Sequence, residues 1–457
     1  MNWLTREVPL SSLVFYRIYF GLLMAWGLAR FWWNGWLERS FIQPEFFFKY
    51  WGFEWVVVPD PFYVYTLFAV GILAALLVSA GLFYRTSSLI LFLSFTYIEL
   101  MDQANYLNHY YLLSILSFLN LFLPLNRRFS LDVWRGAISR IETIPAWCLY
   151  LLRGQTATVY FFAGLAKLGS DWLLHAQPIN LWMMAQSELP LIGPWLALGP
   201  VQILMAWAGF LFDTTIWILM LFPRTRAPAF LVILGFHFLT GLLFPIGLFP
   251  YIMVGMATLF FDPQWPDRAL AKVSWWKVPQ MTPKRTSSIS RSHARFVLVG
   301  LALWFLVQWT LPLRHFLYTS DLLWSEEGMR FSWKVMVREK NGHVNFRVVD
   351  RHSARSWDVS ASQYLVQHQE MEMSGQPDMI LQLAHHIRDD FARRGNFDVA
   401  VYAEAWVSLN GRPSALMIDP EFDLTSATDG LSQKSWIRPA PRDFPRPLSV
   451  SKIEVSR

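Results

Sequence analysis

The side chain with the clearest capacity for chemistry is Lys167, which follows the apolar run YFFAGLA of residues 160–166. A lysine that is removed from water loses the hydration of its ammonium group, so its amine becomes available in the neutral form as a base. The alternative is a lysine that extends to the membrane interface and keeps its ammonium among the lipid headgroups. The position of the residue in the sequence is compatible with either interpretation.

A second polar group lies in the segment NYLNHYY, residues 105–111. Asn108 and His109 carry hydrogen-bonding groups that could hold a polar ligand head, and the ring of Tyr110 could pack on a ligand ring. The alternative is an aromatic belt at the membrane interface with an asparagine that caps a helix. His237 stands between two phenylalanines in an apolar segment, either as a ligand-binding group or as a structural histidine.

Motifs for other kinds of chemistry are absent from the sequence. It has no GxxxxGK[ST], HExxH or paired CxxC motif, so it gives no support to a nucleotide site or a zinc site. His385 and His386 stand four residues before Asp389 and Asp390, but this spacing is more typical of a solvated helix face than of a metal site. We therefore predict a protein without a metal ion.

The composition is that of a membrane protein. Of the 457 residues, 54% are apolar and 16% are charged, whereas soluble proteins have about 25% charged residues. So few charges cannot cover several soluble domains, and so many large apolar side chains exclude a disordered chain. The single cysteine, Cys148, excludes an intramolecular disulfide.

The apolar segments predict an all-α membrane bundle, because a transmembrane helix needs about 20 mostly apolar residues. Two pairs of neighbouring segments are divided by short breaks at residues 102–105 and 244–247, the second containing proline and glycine. We predict nine transmembrane helices, with eight as the alternative count. The predicted segments are 10–30, 61–83, 86–103, 107–124, 147–169, 199–222, 227–244, 246–262 and 296–313.

The distribution of charge predicts the orientation of this bundle. Residues 314–457 contain 18 basic and 19 acidic side chains, so residues 1–313 carry a net charge of +7 and hold the whole basic excess. With the N-terminus inside, basic residues fall on the inner connections, including the loop 266–295, and the outer connection 170–195 has none. This basic excess suits cytoplasmic loops rather than nucleic acid binding. An odd number of helices then places the segment after residue 313 outside.

The same topology groups the candidate residues. The predicted topology places Lys167 and His109, and less directly His237, in the outer half of the membrane. Structural residues scattered along the chain would have no reason to lie at the same depth. We therefore predict a catalytic membrane domain, residues 1–313, below an extracytoplasmic α+β domain, residues 314–457.

Turn signals predict the elements of the second domain. Asn341-Gly342 predicts a hairpin between the strands Met329–Val337 and His343–Val349. Asn410-Gly411 predicts a second hairpin, between Val399–Leu409 and Ala415–Ile418, and helical spacing predicts a helix over Asp378–Arg394.

Several stretches of the sequence resemble the vitamin K-dependent γ-glutamyl carboxylase family, and they keep the family's order over almost the whole chain. They are residues 102–111, LRGQ at 152–155, VYFFAGLAKLGSDW at 159–172, FSW at 331–333, VYAEAWVSLN at 401–410, IDP at 418–420 and SW at 435–436. The resemblance implies an HTTM-type membrane domain and an enzyme that uses vitamin K hydroquinone, or a related reduced quinone, with O2 and CO2 as co-substrates.

The resemblance also implies roles for particular residues. Lys167 would be the base that acts on the quinol, with His109 beside Asn108 in the same site. Oxygenation of the quinol to the epoxide would then generate a strong base that removes a γ-proton from a peptide glutamate, and the carbanion would take up CO2. Exclusion of water would protect this reaction.

The remaining expected contacts concern the two organic substrates. Tyr110 and His237 would join Asn108 in binding the quinol, which would enter from the lipid bilayer. The glutamate-containing peptide or protein would bind near Trp333, Tyr402 and Trp406, which match the family's substrate-side segments.

The sequence departs from the animal enzymes of the family at two points. Ala166 stands where they have a second lysine, and their longer lumenal region, which helps bind the propeptide, continues past the end of this chain. The expected protein is therefore a short bacterial relative in an inner membrane. Two alternatives remain open: a quinol epoxidase or oxidase without protein carboxylation, and a non-catalytic receptor or transporter in which Lys167 and His109 only bind a ligand.

Overall fold

A computed structural model describes residues 2–273, 291–395 and 398–448 of the chain. Each of the nine apolar segments that the sequence predicts contains a helix. These helices are α1 (Ser11–Trp33), α2 (Pro61–Ala80), α3 (Tyr84–Leu100), α4 (Asn108–Asn120), α5 (Trp147–Leu165), α6 (Gly199–Leu221), α7 (Pro223–Leu243), α8 (Phe249–Ala257) and α9 (Arg291–Thr310).

Five helices in the described part of the chain are long and apolar enough to cross a membrane, so the chain is a multi-pass membrane protein. They are α1, α2, α6, α7 and the segment Ala294–Leu317, which contains most of α9. The prediction of nine transmembrane helices is not confirmed. α3, α4 and α8 have 17, 13 and 9 residues, fewer than the roughly 20 of a typical crossing, and α5 contains Arg153 and Gln155 among its apolar residues.

Short elements connect these helices. Two strands, Glu7–Pro9 and Thr143–Pro145, pair antiparallel. Short helices of the described chain include Asn2–Thr5, Glu38–Ile42, Leu131–Trp134, Ser170–Leu173, Ile179–Ala185, Gly193–Leu196, Trp265–Ala271 and Leu322–Ser325.

Both predicted breaks between neighbouring helices are present. After α3, the Asp102 carboxylate accepts hydrogen bonds from the backbone N–H groups of Ala104 at 3.0 Å and Phe48 at 3.2 Å, which fixes the turn. Between α7 and α8, Gly247 has a φ angle of +59°, a left-handed conformation that favours glycine.

The C-terminal part contains a four-stranded antiparallel sheet in the order β2–β1–β3–β4. Alternate side chains of β3 are buried in the core that the sheet shares with α11. The elements are β1 (Lys340–Asp350), β2 (Ser356–Ser360), α10 (Gln367–Ser374), α11 (Pro377–Gly395), β3 (Val399–Leu409) and β4 (Ala415–Leu416). The predicted helix 378–394 and the hairpin between β3 and β4 are confirmed.

The hairpin predicted at Asn341-Gly342 is wrong. Both residues lie within β1, opposite Ser408 and Val407 of β3, and residues 329–337 form turns and irregular backbone instead of a strand. Glycine is needed at position 342 for close packing, because a Cβ atom there would lie 2.9 Å from the Ser374 carbonyl oxygen.

The two parts of the chain share a packed junction. Phe48 and Ala104 lie in the core of the C-terminal part, and Gln369 Nε2 donates hydrogen bonds to Asp102 Oδ2 and to the Phe46 carbonyl oxygen, both at 2.8 Å. The domain boundary at 313/314 and the orientation in the membrane stay predictions. Residues 274–290 of the predicted inner loop and 449–457 of the predicted second domain lie outside the described residues.

Candidate functional site at the junction

Lys167 lies just after α5 and faces Asp213 in the middle of α6. The Lys167 Nζ atom is 2.8 Å from Asp213 Oδ2, and the two side chains are 6% and 11% exposed. A lysine enclosed in this way differs from one that extends to lipid headgroups. The geometry therefore favours an enclosed lysine over one at the membrane interface.

A glycine on α5 allows this contact. A Cβ atom at Gly164 would lie 2.6 Å from Thr214 Cγ2 and 3.0 Å from the Thr214 backbone nitrogen. α5 and α6 can approach closely only because this side chain is missing. Since Thr214 follows Asp213, the close approach at Gly164 sets the separation of the buried pair.

Three further groups hold the Lys167 side chain. Its Nζ donates hydrogen bonds to the carbonyl oxygens of Ala163 at 3.1 Å and Val335 at 3.3 Å. The Lys167 ammonium lies 5.1 Å from the ring centroid of Trp172, within the range of a cation–π interaction. Because Val335 belongs to the C-terminal part, both parts of the chain position this lysine.

An apolar cavity of about 150 Å³, which we call the Lys167 cavity, lies beside the pair. The Tyr160 hydroxyl is 3.2 Å from His237 Nε2 in its wall, whereas His237 Nδ1 is buried with no hydrogen-bond partner among the described residues. A buried nitrogen without a partner is unfavourable, and His237 is one of the residues that line this cavity. Its apolar lining includes Val159, Trp172, Ile179, Trp182, Phe236 and Phe249.

His109 lines a second, larger cavity of about 560 Å³, which we call the His109 chamber. Asn108 and Tyr110 line it too, so the three candidates from one segment lie together. A Cβ atom at Gly247 would lie 3.3 Å from His109 Nε2, and Asn108 Nδ2 donates a 3.4 Å hydrogen bond to the Lys334 carbonyl oxygen.

The Lys167 cavity and the His109 chamber are neighbours. The Phe249 ring lies between the two histidines, with its centroid 6.4 Å from that of His109 and 5.8 Å from that of His237. The structure thus brings Lys167, His109 and His237 to one region. The two cavities share the wall residues Ile246, Phe249, Val335 and Met336.

A third cavity, of about 220 Å³, is polar, and we call it the Lys334 cavity. Two of its cations are neutralised: Arg330 pairs with Asp378 at 2.5 Å and Arg338 pairs with Glu326. The Lys334 ammonium has no hydrogen bond or ion pair with another described residue, and burial lowers its pKa below the ordinary value. Met336 lines this cavity as well as the other two.

The three residues expected to contact a peptide lie in different places. Trp333 is 1% exposed and stacks on Tyr111 with ring centroids 4.8 Å apart. Tyr402 and Trp406 lie on the solvent-facing side of β3, where Arg347 packs over the Tyr402 ring at 4.8 Å. Neither Tyr402 nor Trp406 lines any of the three cavities.

Sequence reasoning missed Asp213 and Lys334. A signal for Asp213 was present, because it is the only charged residue in α6, and ionisable groups in apolar helices are characteristically functional. The sequence gives no such signal for Lys334, because its lack of a counter-ion becomes visible only in the folded structure. Across the described residues, no cluster of three or more His, Cys, Asp or Glu side chains is arranged to hold a metal ion.

Comparison with models of known protein families shows to which family the chain belongs. Residues 5–265 match the model of the HTTM domain, and residues 293–443 match that of the vitamin K-dependent gamma-carboxylase lumenal domain. The chain belongs to the vitamin K-dependent γ-glutamyl carboxylase family. No solved structure matches the chain.

The family's two domains meet at the site. Lys167, Asp213 and His109 belong to the HTTM match, whereas Val335 and Lys334 belong to the lumenal-domain match. Membership of this family suggests an enzyme of the γ-glutamyl carboxylase type in a membrane.

Proposed function

We propose that the protein couples O2-dependent epoxidation of vitamin K hydroquinone, or a related quinol, to γ-carboxylation of glutamate in a peptide or protein. The observation that carries this proposal is the enclosed Lys167–Asp213 pair beside an apolar cavity at the junction of the family's two domains. The alternatives are a quinol epoxidase or oxidase without carboxylation and a non-catalytic receptor or transporter.

The Lys167 cavity fits a quinol. Its aromatic walls, including Phe236 and Phe249, suit a flat ring, and the unpartnered His237 Nδ1 is available to a ring hydroxyl. When bound, the quinol supplies the reducing equivalents and, with O2, the strong base that no protein side chain can provide in water.

The Lys167–Asp213 pair can deliver a neutral amine to this cavity. Two charges that lose their hydration are costly in an apolar site, even when paired. Transfer of the Lys167 ammonium proton to Asp213 Oδ2 removes both charges and leaves a neutral amine and a carboxylic acid. The amine can then accept a proton from a quinol hydroxyl, and the resulting ammonium again faces the hydrogen-bonding carboxyl group of Asp213.

The lining of the Lys167 cavity supports entry of a lipid-soluble molecule from the bilayer. Ala208 of α6 and Leu239 of α7 line the cavity and are also exposed on the outer surface of the bundle. The opening therefore lies between two helices that are long enough to cross the membrane. A hydrocarbon tail can remain between α6 and α7 while the ring lies beside Lys167.

The Lys334 cavity supports the binding of an anionic substrate, which would not have to enter between α6 and α7. An ammonium without a counter-ion attracts a carboxylate, particularly where burial reduces its hydration. The segment 334–337 separates this polar cavity from the apolar Lys167 cavity. A glutamate γ-carboxylate held by Lys334 would therefore lie close to the quinol site without opening that site to bulk water.

The proposal is tested with purified protein in lipid nanodiscs, supplied with vitamin K hydroquinone, O2, labelled CO2 and a glutamyl peptide. Lys167→Ala is compared with Lys272→Ala, since Lys272 is exposed. Epoxide and labelled peptide that are lost only with Lys167→Ala support the proposal. Epoxide without labelled peptide selects the quinol epoxidase, and the absence of both products from folded wild-type protein contradicts an enzymatic role.

A further inference from the structure

A fourth cavity, of about 40 Å³, lies beside the His109 chamber and contains a buried carboxyl group that the proposed roles do not use. Glu99, in the last turn of α3, is 8% exposed. Its Oε2 accepts a hydrogen bond from Ser114 Oγ at 2.5 Å. Its Oε1 is buried and has no hydrogen-bond partner among the described residues.

Asn105 presents the complementary group to the same cavity. Its Nδ2 is also buried without a hydrogen-bond partner in the described part of the chain. An unpaired acceptor on Glu99 and an unpaired donor on Asn105 can both be satisfied by one water, because water accepts as well as donates. The volume of about 40 Å³ is large enough, since one water needs roughly 10–15 Å³.

This small cavity adjoins the His109 chamber. The two cavities share Asn105 and Tyr110, together with Arg30, Phe31 and Trp36. Apart from Asn105 and Arg30, these shared residues are aromatic. A water held between Glu99 and Asn105 is therefore separated from the chamber by aromatic rings except at Asn105 and Arg30, the two polar residues that line both cavities.

We propose that Glu99 is a proton acceptor for the His109 chamber and acts through water bound between Glu99 and Asn105. This inference rests on the proposed function, because a quinol that is converted to a quinone epoxide loses both hydroxyl protons. In this arrangement Lys167 accepts the proton of one hydroxyl, and the opposite hydroxyl of the same ring faces the His109 chamber across the wall at Ile246 and Phe249 that the two cavities share. When the second O–H bond breaks, its electron pair stays on the ligand oxygen. Water carries the proton to Glu99 Oε1, where a new O–H bond forms. This proton transfer changes no oxidation state.

The structural alternative is that Glu99 only anchors α4 through Ser114, and paired variants separate the two roles. Glu99→Gln keeps the side-chain volume and an acceptor for the Ser114 hydroxyl but cannot accept this proton. Ser114→Ala removes the hydrogen bond and leaves the carboxyl group. Glu99→Asp, which retains a carboxyl group, serves as a second variant should Glu99→Gln fail to fold.

Infrared difference spectra of the quinol-bound protein, recorded before and after O2 is admitted, test the protonation directly. We expect O2 to produce a carboxyl C=O band that shifts in D2O, persists in Ser114→Ala and Glu99→Asp, and is absent from Glu99→Gln. Asp213 is already protonated when the quinol is bound, so it does not contribute to this difference. A band that remains in Glu99→Gln, or no band in wild-type protein that forms epoxide, would overturn the proposal.

Turnover gives the second readout. We expect Glu99→Gln to lower kcat for epoxide formation about 100-fold, as loss of a general base does, with KM for the quinol nearly unchanged. Equal losses in Glu99→Gln and Ser114→Ala would indicate an anchoring role and contradict the proton acceptor. Wild-type protein that gives the infrared band but no epoxide would refute the proposed function and leave the proton acceptor supported.

Discussion

Arg412 donates one hydrogen bond from each terminal guanidinium nitrogen to the two carboxylate oxygens of Asp171, both at 2.6 Å. Asn410 Nδ2 donates to the same carboxylate at 3.0 Å. Asp171 immediately precedes Trp172, whose ring lies against the Lys167 ammonium. Arg412 and Asn410, in the turn after β3, therefore hold in place the segment around Trp172 that encloses Lys167.

We expect Arg412→Ala to lower both stability and turnover. Loss of charged hydrogen bonds to a largely buried carboxylate costs about 1.5–3 kcal/mol each, and the freed segment would no longer hold Trp172 over Lys167. Arg412→Lys retains the charge but not the two-pronged geometry, so it should recover stability better than turnover. Thermal unfolding and epoxide formation measure the two effects. Wild-type turnover in Arg412→Ala would contradict this role.

Removal of Lys167 alone should destabilise the protein, because it leaves Asp213 buried without its partner. Breaking one side of a buried ion pair costs about 3–5 kcal/mol. In the double variant Lys167→Met with Asp213→Leu, two apolar side chains replace the pair, so stability should return while epoxidation stays absent. Denaturant unfolding and product analysis of the single and double variants provide the measurement. Recovery of activity in the double variant would exclude Lys167 as the base.

Gly164→Ala should disturb the spacing of α5 and α6. The new Cβ would overlap Thr214, and overpacking of this kind costs about 1–3 kcal/mol. Gly235→Ala on α7 is the matched control, because nothing lies within 4 Å of its Cβ position. We expect lower stability and slower epoxidation for Gly164→Ala only. Equal behaviour of the two variants would show that the close approach does not position Lys167.

The Lys334 cavity predicts a pH dependence for peptide binding. Burial lowers the pKa of Lys334 below its ordinary value of 10.5, so the ammonium loses its proton at a lower pH than a solvated lysine. KM for the glutamyl peptide should therefore rise with pH as the positive charge is lost, whereas KM for the quinol should stay constant. The Lys334→Arg variant keeps its positive charge as the pH rises, so its KM for the glutamyl peptide should stay constant. Identical profiles for the two proteins would exclude Lys334 as the carboxylate contact.

Much of the candidate site could be predicted because its signals are local. Lys167 ends an apolar run, and Asn108, His109 and Tyr110 stand in one short segment. The breaks that present these residues, at 102–105 and 244–247, also have local causes in polar residues, proline and glycine.

The pairing with Asp213 could not be predicted in this way. It depends on how α5 crosses α6, and the crossing is set by a contact between Gly164 and Thr214, 50 positions apart in the sequence. The error at Asn341-Gly342 has a similar origin, since Gly342 allows α10 to approach β1 and does not form a turn. The predicted apolar segments are also longer than the helices α3 and α4 that form in them, because packing in the fold decides where a helix ends.

The central claim is that Lys167 removes a proton from a bound quinol. Ultraviolet absorption of vitamin K hydroquinone bound without O2 tests it most directly, because the quinolate anion and the neutral quinol absorb differently. We predict a quinolate spectrum with wild-type protein and a neutral quinol spectrum with the stable double variant Lys167→Met with Asp213→Leu, at equal occupancy. A quinolate spectrum in the double variant, or a neutral quinol spectrum in the wild type, would contradict the claim.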